Sequence, residues 1–173
     1  AKNYRIAAMW KETEDAAIQA MLYPGETVSA GKVKYRLVEP FLFCRLPSGR
    51  ALCYPFAKLR DSKTPWGDVQ KKIVFKSTDQ FTKKWSRKAF YGGLAVENIT
   101  QAVARDIMAE AMLRTEDAGY RTVLSVHDEI VNEVDEGFGS LEEFSALMTQ
   151  NPVWAPDLPI TASGWQGTRY KKG

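Results

Sequence analysis

Asp128 and Glu129 stand side by side in Val126-His127-Asp128-Glu129-Ile130-Val131, between two runs rich in β-branched residues. The flanks Thr122–Val126 and Ile130–Val134 have strand composition, so the six residues read as the bend of a β-hairpin. Neighbouring carboxylates fixed at a bend suit a hard cation: Mg2+ takes oxygen from one or two carboxylates and leaves its other positions to water and phosphate. A solvated acidic turn is the other reading, because Asp is a common turn residue for reasons of its own. His127, the one histidine of the chain, is likewise either a turn residue or part of a contact surface. Pattern alone leaves these alternatives open.

The segment that must position the hairpin is the one before it. Leu94 to Ala118 carries helix formers throughout, with Gly119 where a helix C-cap belongs. Ile99, Val103, Ile107 and Ala111 form an apolar stripe, while Asn98, Gln101 and Arg105 recur at i, i+3 and i+7 on another face. Amides and a guanidinium in a row can reach the acceptors of a nucleic-acid minor groove; a solvated helix face is the ordinary explanation of such a row. Between Phe81 and Tyr91, Lys83, Lys84, Arg87 and Lys88 interleave with Phe81, Trp85, Phe90 and Tyr91. That mixture fits a surface that neutralises phosphates and stacks bases, or an amphipathic helix with aromatics inward and lysines in water.

The remaining elements predict an α+β domain. Lys2 to Leu22 reads as a helix or a broken pair, stopped by Pro24-Gly25. Val33, Tyr35 and Leu37 alternate with Lys34 and Arg36, and Phe41–Leu46 and Ala51–Phe56 flank Pro47-Ser48-Gly49-Arg50, giving a small antiparallel meander. A two-residue turn at Ser48-Gly49 would set Cys44 opposite Cys53. Lys58 to Lys72, broken by Pro65 and Gly67, reads as a surface loop with Trp66 as its anchor, followed by a short strand at Ile73-Val74-Phe75. Ser140 with Glu143 forms a capping box for a helix to about Met148, Leu158–Ala162 looks like a last strand, and Arg169 to Lys172 give a basic end. At 173 residues, 45% hydrophobic and 12% aromatic, the chain has material for one compact unit with a real core. The net charge of +3 points only weakly to an anionic partner. No apolar run approaches a membrane span and no leader precedes the first helix, so a cytoplasmic protein is expected, its two cysteines reduced.

Taken in order, these pieces closely resemble the C-terminal part of family A DNA polymerases, and most of all the phage and prophage branch. Tyr91-Gly92-Gly93-Leu94-Ala95-Val96-Glu97-Asn98-Ile99-Thr100-Gln101-Ala102-Val103-Ala104-Arg105-Asp106 is similar to that branch's palm helix, and Val126-His127-Asp128-Glu129-Ile130-Val131 to the third catalytic motif. The resemblance is strongest from Phe81 to Val134 and extends more loosely through Leu141–Met148 and Gly164-Trp165 to the end. It implies an antiparallel palm sheet whose catalytic hairpin packs on long helices, residues 1–90 on the fingers side and 91–173 in the palm. It further implies 5′–3′ nucleotidyl transfer by two magnesium ions to a primer from a deoxynucleoside triphosphate. Asp128 then matches the metal ligand, Glu129 a carboxylate supporting metal and primer end, and His127 a residue beside the primer terminus. Gln101 matches the amide that touches the primer–template minor groove, with Asn98 and Arg105 its companions. Lys84 and Arg87 join the DNA-binding set from the basic aromatic stretch. Glu97 stands where the bacterial repair enzymes often have asparagine.

Two motifs of that family have no counterpart here. The Asp-Tyr-Ser-x-Ile-Glu motif that brings the other metal-binding aspartate is missing. So is the Arg-x-x-x-Lys helix that holds the triphosphate, for which Arg87-Lys88-Ala89-Phe90-Tyr91-Gly92 lies in the wrong order. The expectation is a catalytically incomplete fragment that binds magnesium weakly, works with an N-terminal polymerase segment, and self-associates through the palm surface when alone. The competing expectation, of a different class, is a stand-alone or accessory DNA-binding module that kept the palm fold without the chemistry.

Overall fold

The computed structural model describes residues 3–63, 66–79 and 81–170. Among the described residues, helices and antiparallel sheets occur without parallel βαβ units, an α+β fold. The chain falls into two compact units, Ala1–Ala102 and Val103–Gly173.

In the first unit, α1 (Tyr4–Leu22) is a single unbroken helix that buries Thr13, Ala16, Ala17, Ala20 and Met21. The small side chains on that stripe let its backbone approach β1 and β2 closely. Its expected start at Lys2 lies outside the described residues. Strands β1 (Thr27–Ala30), β2 (Val33–Val38), β3 (Phe41–Arg45) and β4 (Ala51–Pro55) form a four-stranded antiparallel meander in sequence order. The alternation in β2 is fully realised, Val33, Tyr35 and Leu37 inward and Lys34, Arg36 and Val38 outward. Strand β1 was not foreseen.

The turn after β3 is one residue longer than expected. Leu46 N–H donates to Arg50 C=O at 2.7 Å and Gly49 N–H to Leu46 C=O at 3.0 Å, so Pro47-Ser48-Gly49 form a three-residue loop, with Gly49 at φ +93°. The register becomes Cys44 opposite Leu52 and Phe43 opposite Cys53. A slip of one residue exchanges faces, which corrects the expected facing of the cysteines: Cys44 points into the core and Cys53 outward.

The surface loop expected over Lys58–Lys72 is instead sheet. Strands β5 (Lys58–Lys63), β6 (Val69–Thr78) and β7 (Trp85–Ala89) form a three-stranded antiparallel sheet with β6 in the centre. Gly67 keeps its turn role at φ +92°; Pro65 lies outside the described residues. Trp66 anchors nothing, being 87% exposed. The strand expected at Ile73-Val74-Phe75 is the buried middle of β6. Phe81 to Tyr91 is not a helix: a turn tied by Asp79 leads into β7, Phe81 and Trp85 are exposed, and only Phe90 is core.

The core between the two sheets is aromatic. Tyr54 meets Phe75 and Phe90 edge-on at 5.1 and 5.0 Å, and Phe90 meets Tyr35 at 6.2 Å. Such pairs add roughly 0.5–1.5 kcal/mol each beyond burial. Burial pushes the Cys44 thiol up to about 11 and the Tyr54 hydroxyl up to about 12.

Helix α2 (Gly92–Asp117) matches its expected extent closely, and the border between the units falls within it at Ala102. Its first residue must be glycine, since a Cβ there would collide with the Trp10 carbonyl oxygen of α1. Glu14 of α1 accepts the Gly92 N–H at 3.0 Å. The helix ends at Gly119, φ +93°.

In the second unit, Met108, Ala111 and Thr115 of α2 are buried along with Tyr120. The expected stripe is rotated slightly: Ala111 is buried, whereas Val103 and Ile107 are half-exposed. Strands β8 (Arg121–Val126) and β9 (Glu129–Glu133) form the expected hairpin as a separate two-stranded sheet. Helix α3 (Leu141–Thr149) starts at Ser140, whose hydroxyl accepts the Glu143 N–H at 3.1 Å. Glu143 does not close the box; it accepts the Tyr120 hydroxyl at 2.6 Å. No strand forms at Leu158–Ala162. Pro156 and Pro159 lack donors there, and the Asn151 amide instead binds the carbonyls of Ala155, Pro156 and Leu158. Of the basic end, Lys171 and Lys172 lie outside the described residues.

Candidate functional site

The hairpin turn consists of His127 and Asp128, with Val126 paired to Glu129 across it. The two carboxylates therefore have different settings: Asp128 is at the tip and Glu129 is the first residue of β9, both exposed. His127 takes φ +52°, the left-handed region that two-residue hairpin turns require and that glycine usually supplies. The turn's twist matches its strands, which holds Asp128 at the apex without burying it.

Glu129 accepts a hydrogen bond from the Tyr170 hydroxyl at 3.2 Å. Desolvation and the carboxylate together push the Tyr170 hydroxyl up. On the other face of the hairpin, Ser125 pairs with Ile130, and its hydroxyl accepts from Arg105 Nη1 at 3.3 Å. The base of the hairpin is pinned by Asn132, which donates to the Tyr120 carbonyl at 2.6 Å and to the Thr122 hydroxyl at 3.0 Å. A register irregularity at Val123 twists β8 just above that point. Neither Tyr170 nor Ser125 was singled out in the sequence, and no local pattern marks them.

The Asn98, Gln101, Arg105 row is split in use. Asn98 is half-buried and its amide donates to the Tyr54 hydroxyl at 3.3 Å, a tie between α2 and the first unit's core. Gln101 is exposed and its amide reaches Glu97 one turn back at 3.4 Å, leaving it on the helix surface. Arg105 is exposed and turns to Ser125 in the second unit. Lys84 lies in the turn before β7, and Arg87 lies on β7 opposite Lys76; both are exposed.

Among the described residues, no three His, Cys, Asp or Glu side chains gather as a set able to hold a metal ion. Asp128 and Glu129 offer open carboxylate oxygens of the kind Mg2+ accepts, at the number Mg2+ commonly takes from protein. They fit part of a coordination shell.

The chain is similar to the DNA polymerase of Bacillus phage SP02, with 36% identity over 170 residues. This is a polymerase-related region. The likeness covers 98% of the chain, hairpin and α2 included, but only 26% of that polymerase, so the chain spans about a quarter of the relative it matches. No family model matches the chain, and no solved structure does. No helix among the described residues is long and apolar enough to cross a membrane.

Proposed function

We propose that these 173 residues are the C-terminal palm part, with some of the fingers side, of a family A DNA polymerase that copies DNA by two-metal nucleotidyl transfer. The observation that carries this is the hairpin with Asp128 at its apex, lying in a stretch whose likeness to a phage DNA polymerase covers nearly the whole chain. In this reading Asp128 is a magnesium ligand. Glu129, held by Tyr170, supports the metal and the primer end, and His127 lies against the primer terminus. Magnesium, when bound, stabilises the charge that develops as the primer 3′-hydroxyl attacks the α-phosphate and pyrophosphate leaves. Gln101, exposed on α2, takes the minor-groove contact, with Arg105 beside it. Asn98 is the weakest of the row, since its amide is already engaged by Tyr54. Lys84 and Arg87 contribute to DNA binding from β7 and its turn. The second aspartate and the triphosphate-binding helix come from an upstream segment of the polymerase, so the 173 residues alone do not polymerise.

Primer extension by a polymerase carrying this segment tests the proposal. Asp128→Ala is expected to lower single-turnover incorporation by orders of magnitude while primer–template affinity stays near normal. Near-normal incorporation would remove the metal role and favour a DNA-binding module without chemistry, the reading that the exposed basic residues of β7 also support.

A further inference from the structure

We propose that the outer faces of the two sheets in the first unit, β1–β4 and β5–β7, form one DNA-backbone-binding surface apart from the hairpin. It deepens the polymerase reading and rests on it for the choice of DNA among polyanions.

The strand registers fix which residues share each face. In the four-stranded sheet, the inward set contains Val33, Tyr35, Leu37, Leu42, Cys44 and Tyr54; the outward set carries Lys34, Arg36 and Arg45 around Phe41 and Phe43. In the three-stranded sheet, Ile73 and Phe75 face the core, which turns Lys58, Arg60, Lys72, Lys76 and Arg87 outward, with Trp85 at one end. Neither outward set contains a carboxylate. Acidic residues near these strands lie off these faces: Asp61 is on the inward parity, paired with Lys71 at 2.6 Å; Asp79 is in the β6–β7 turn, occupied by the Phe81 and Thr82 N–H groups and the Thr82 hydroxyl; and Glu26, Glu39 and Asp68 are exposed in the segments between strands or at their ends.

The two faces are joined. Phe41 touches Phe43 at 6.1 Å and Phe56 at 6.0 Å, and Lys76 Nζ lies 4.9 Å above the Phe56 ring. An aromatic seam thus links the cations of one sheet to those of the other, with Phe56 44% and Trp85 61% exposed. A solvated surface would be expected to mix charge signs. A run of positive sign, interleaved with rings, attracts a phosphodiester chain. Single-stranded template and duplex share that chemistry, and the rings would add stacking only for unpaired bases.

The test is fluorescence anisotropy of labelled single-stranded and duplex oligonucleotides bound by the 173-residue chain over a range of salt. The variant Lys34→Gln/Arg36→Gln/Lys58→Gln/Arg60→Gln should weaken binding and flatten the log–log salt dependence by about 0.9 per lost contact on duplex, or about 0.7 on a single strand. Lys11→Gln, on α1 and paired with Asp15, should change neither. Trp85→Ala separates the sources: a loss confined to single strands identifies template, whereas an unchanged single-strand affinity identifies duplex backbone. No DNA binding by the chain, or a quadruple variant with unchanged affinity and slope, would overturn the proposal. Asp128→Ala should leave this binding intact, so failure of the catalytic reading would show in primer extension and not here.

Discussion

Residues Ala1–Ala102 and Val103–Gly173 solve the problem of stabilising a sheet in opposite ways. In the first unit both sheets back onto shared aromatic residues, and Tyr35, Leu42, Cys44, Ile73 and Phe90 are almost wholly withdrawn from water. In the second, neither strand of the β8–β9 hairpin contains a buried residue, and Val123 and Leu124 are 51% and 42% exposed. An isolated two-stranded hairpin is marginal in water. The sheets of the first unit enclose a core of their own, whereas the hairpin that carries the acidic turn is tied by side chains of Asn132, Arg105 and Tyr170.

That contrast can be broken by stability measurements. Phe90→Ala should cost about 3–5 kcal/mol in urea unfolding, the range for a buried aromatic; a cost under about 1 kcal/mol would mean the first unit has no such core. Gly92→Ala should cost about 1–3 kcal/mol, because the new methyl group meets backbone at Trp10 and backbone cannot swing aside. Alkaline pH should separate the units more gently. The buried Cys44 thiol ionises near 11 in the folded state and near the ordinary 9.0 when unfolded. Between those values the unfolded state holds fewer protons, so stability falls as pH rises from about 9 towards 11 and is unaffected below that window. Cys44→Ala should flatten the first part of that fall, and a urea midpoint series on either side of pH 9 would show it. Smallest of all, Leu124→Ala should lie within about 0.5 kcal/mol of zero; a core-sized loss there would erase the distinction.

The parts of the molecule legible in the sequence were those with a strong local signal: alternation, a run of helix formers, a cap residue or β-branched flanks around a turn. The β2 alternation, the 26-residue α2 with its terminal glycine, the Ser140 cap and the hairpin itself all carried that signal. Strand β5 did not. Lys58-Leu59-Arg60-Asp61-Ser62-Lys63 is an edge strand with one apolar residue, held by pairing to β6 rather than by burial, so composition alone reads as loop. The cysteine register failed for a different reason: Pro47-Ser48-Gly49 and a two-residue turn at Ser48-Gly49 have the same composition, and only the Leu46–Arg50 hydrogen bond distinguishes them. At the candidate site, the placement of Asp128 and Glu129 at the hairpin bend and of Arg105 on α2 was legible from local spacing. Tyr170, 41 residues beyond Glu129, was not, because contact across that separation depends on tertiary folding.

His127 sits at a backbone angle where glycine would be relaxed and a histidine is held at a cost of about 1 kcal/mol. A protein engineer selecting only for a tougher hairpin would remove that imidazole early. Where the imidazole makes the primer contact proposed for it, stability and use pull this position in opposite directions, and thermal selection on this chain would be expected to enrich His127→Gly before any change in the core.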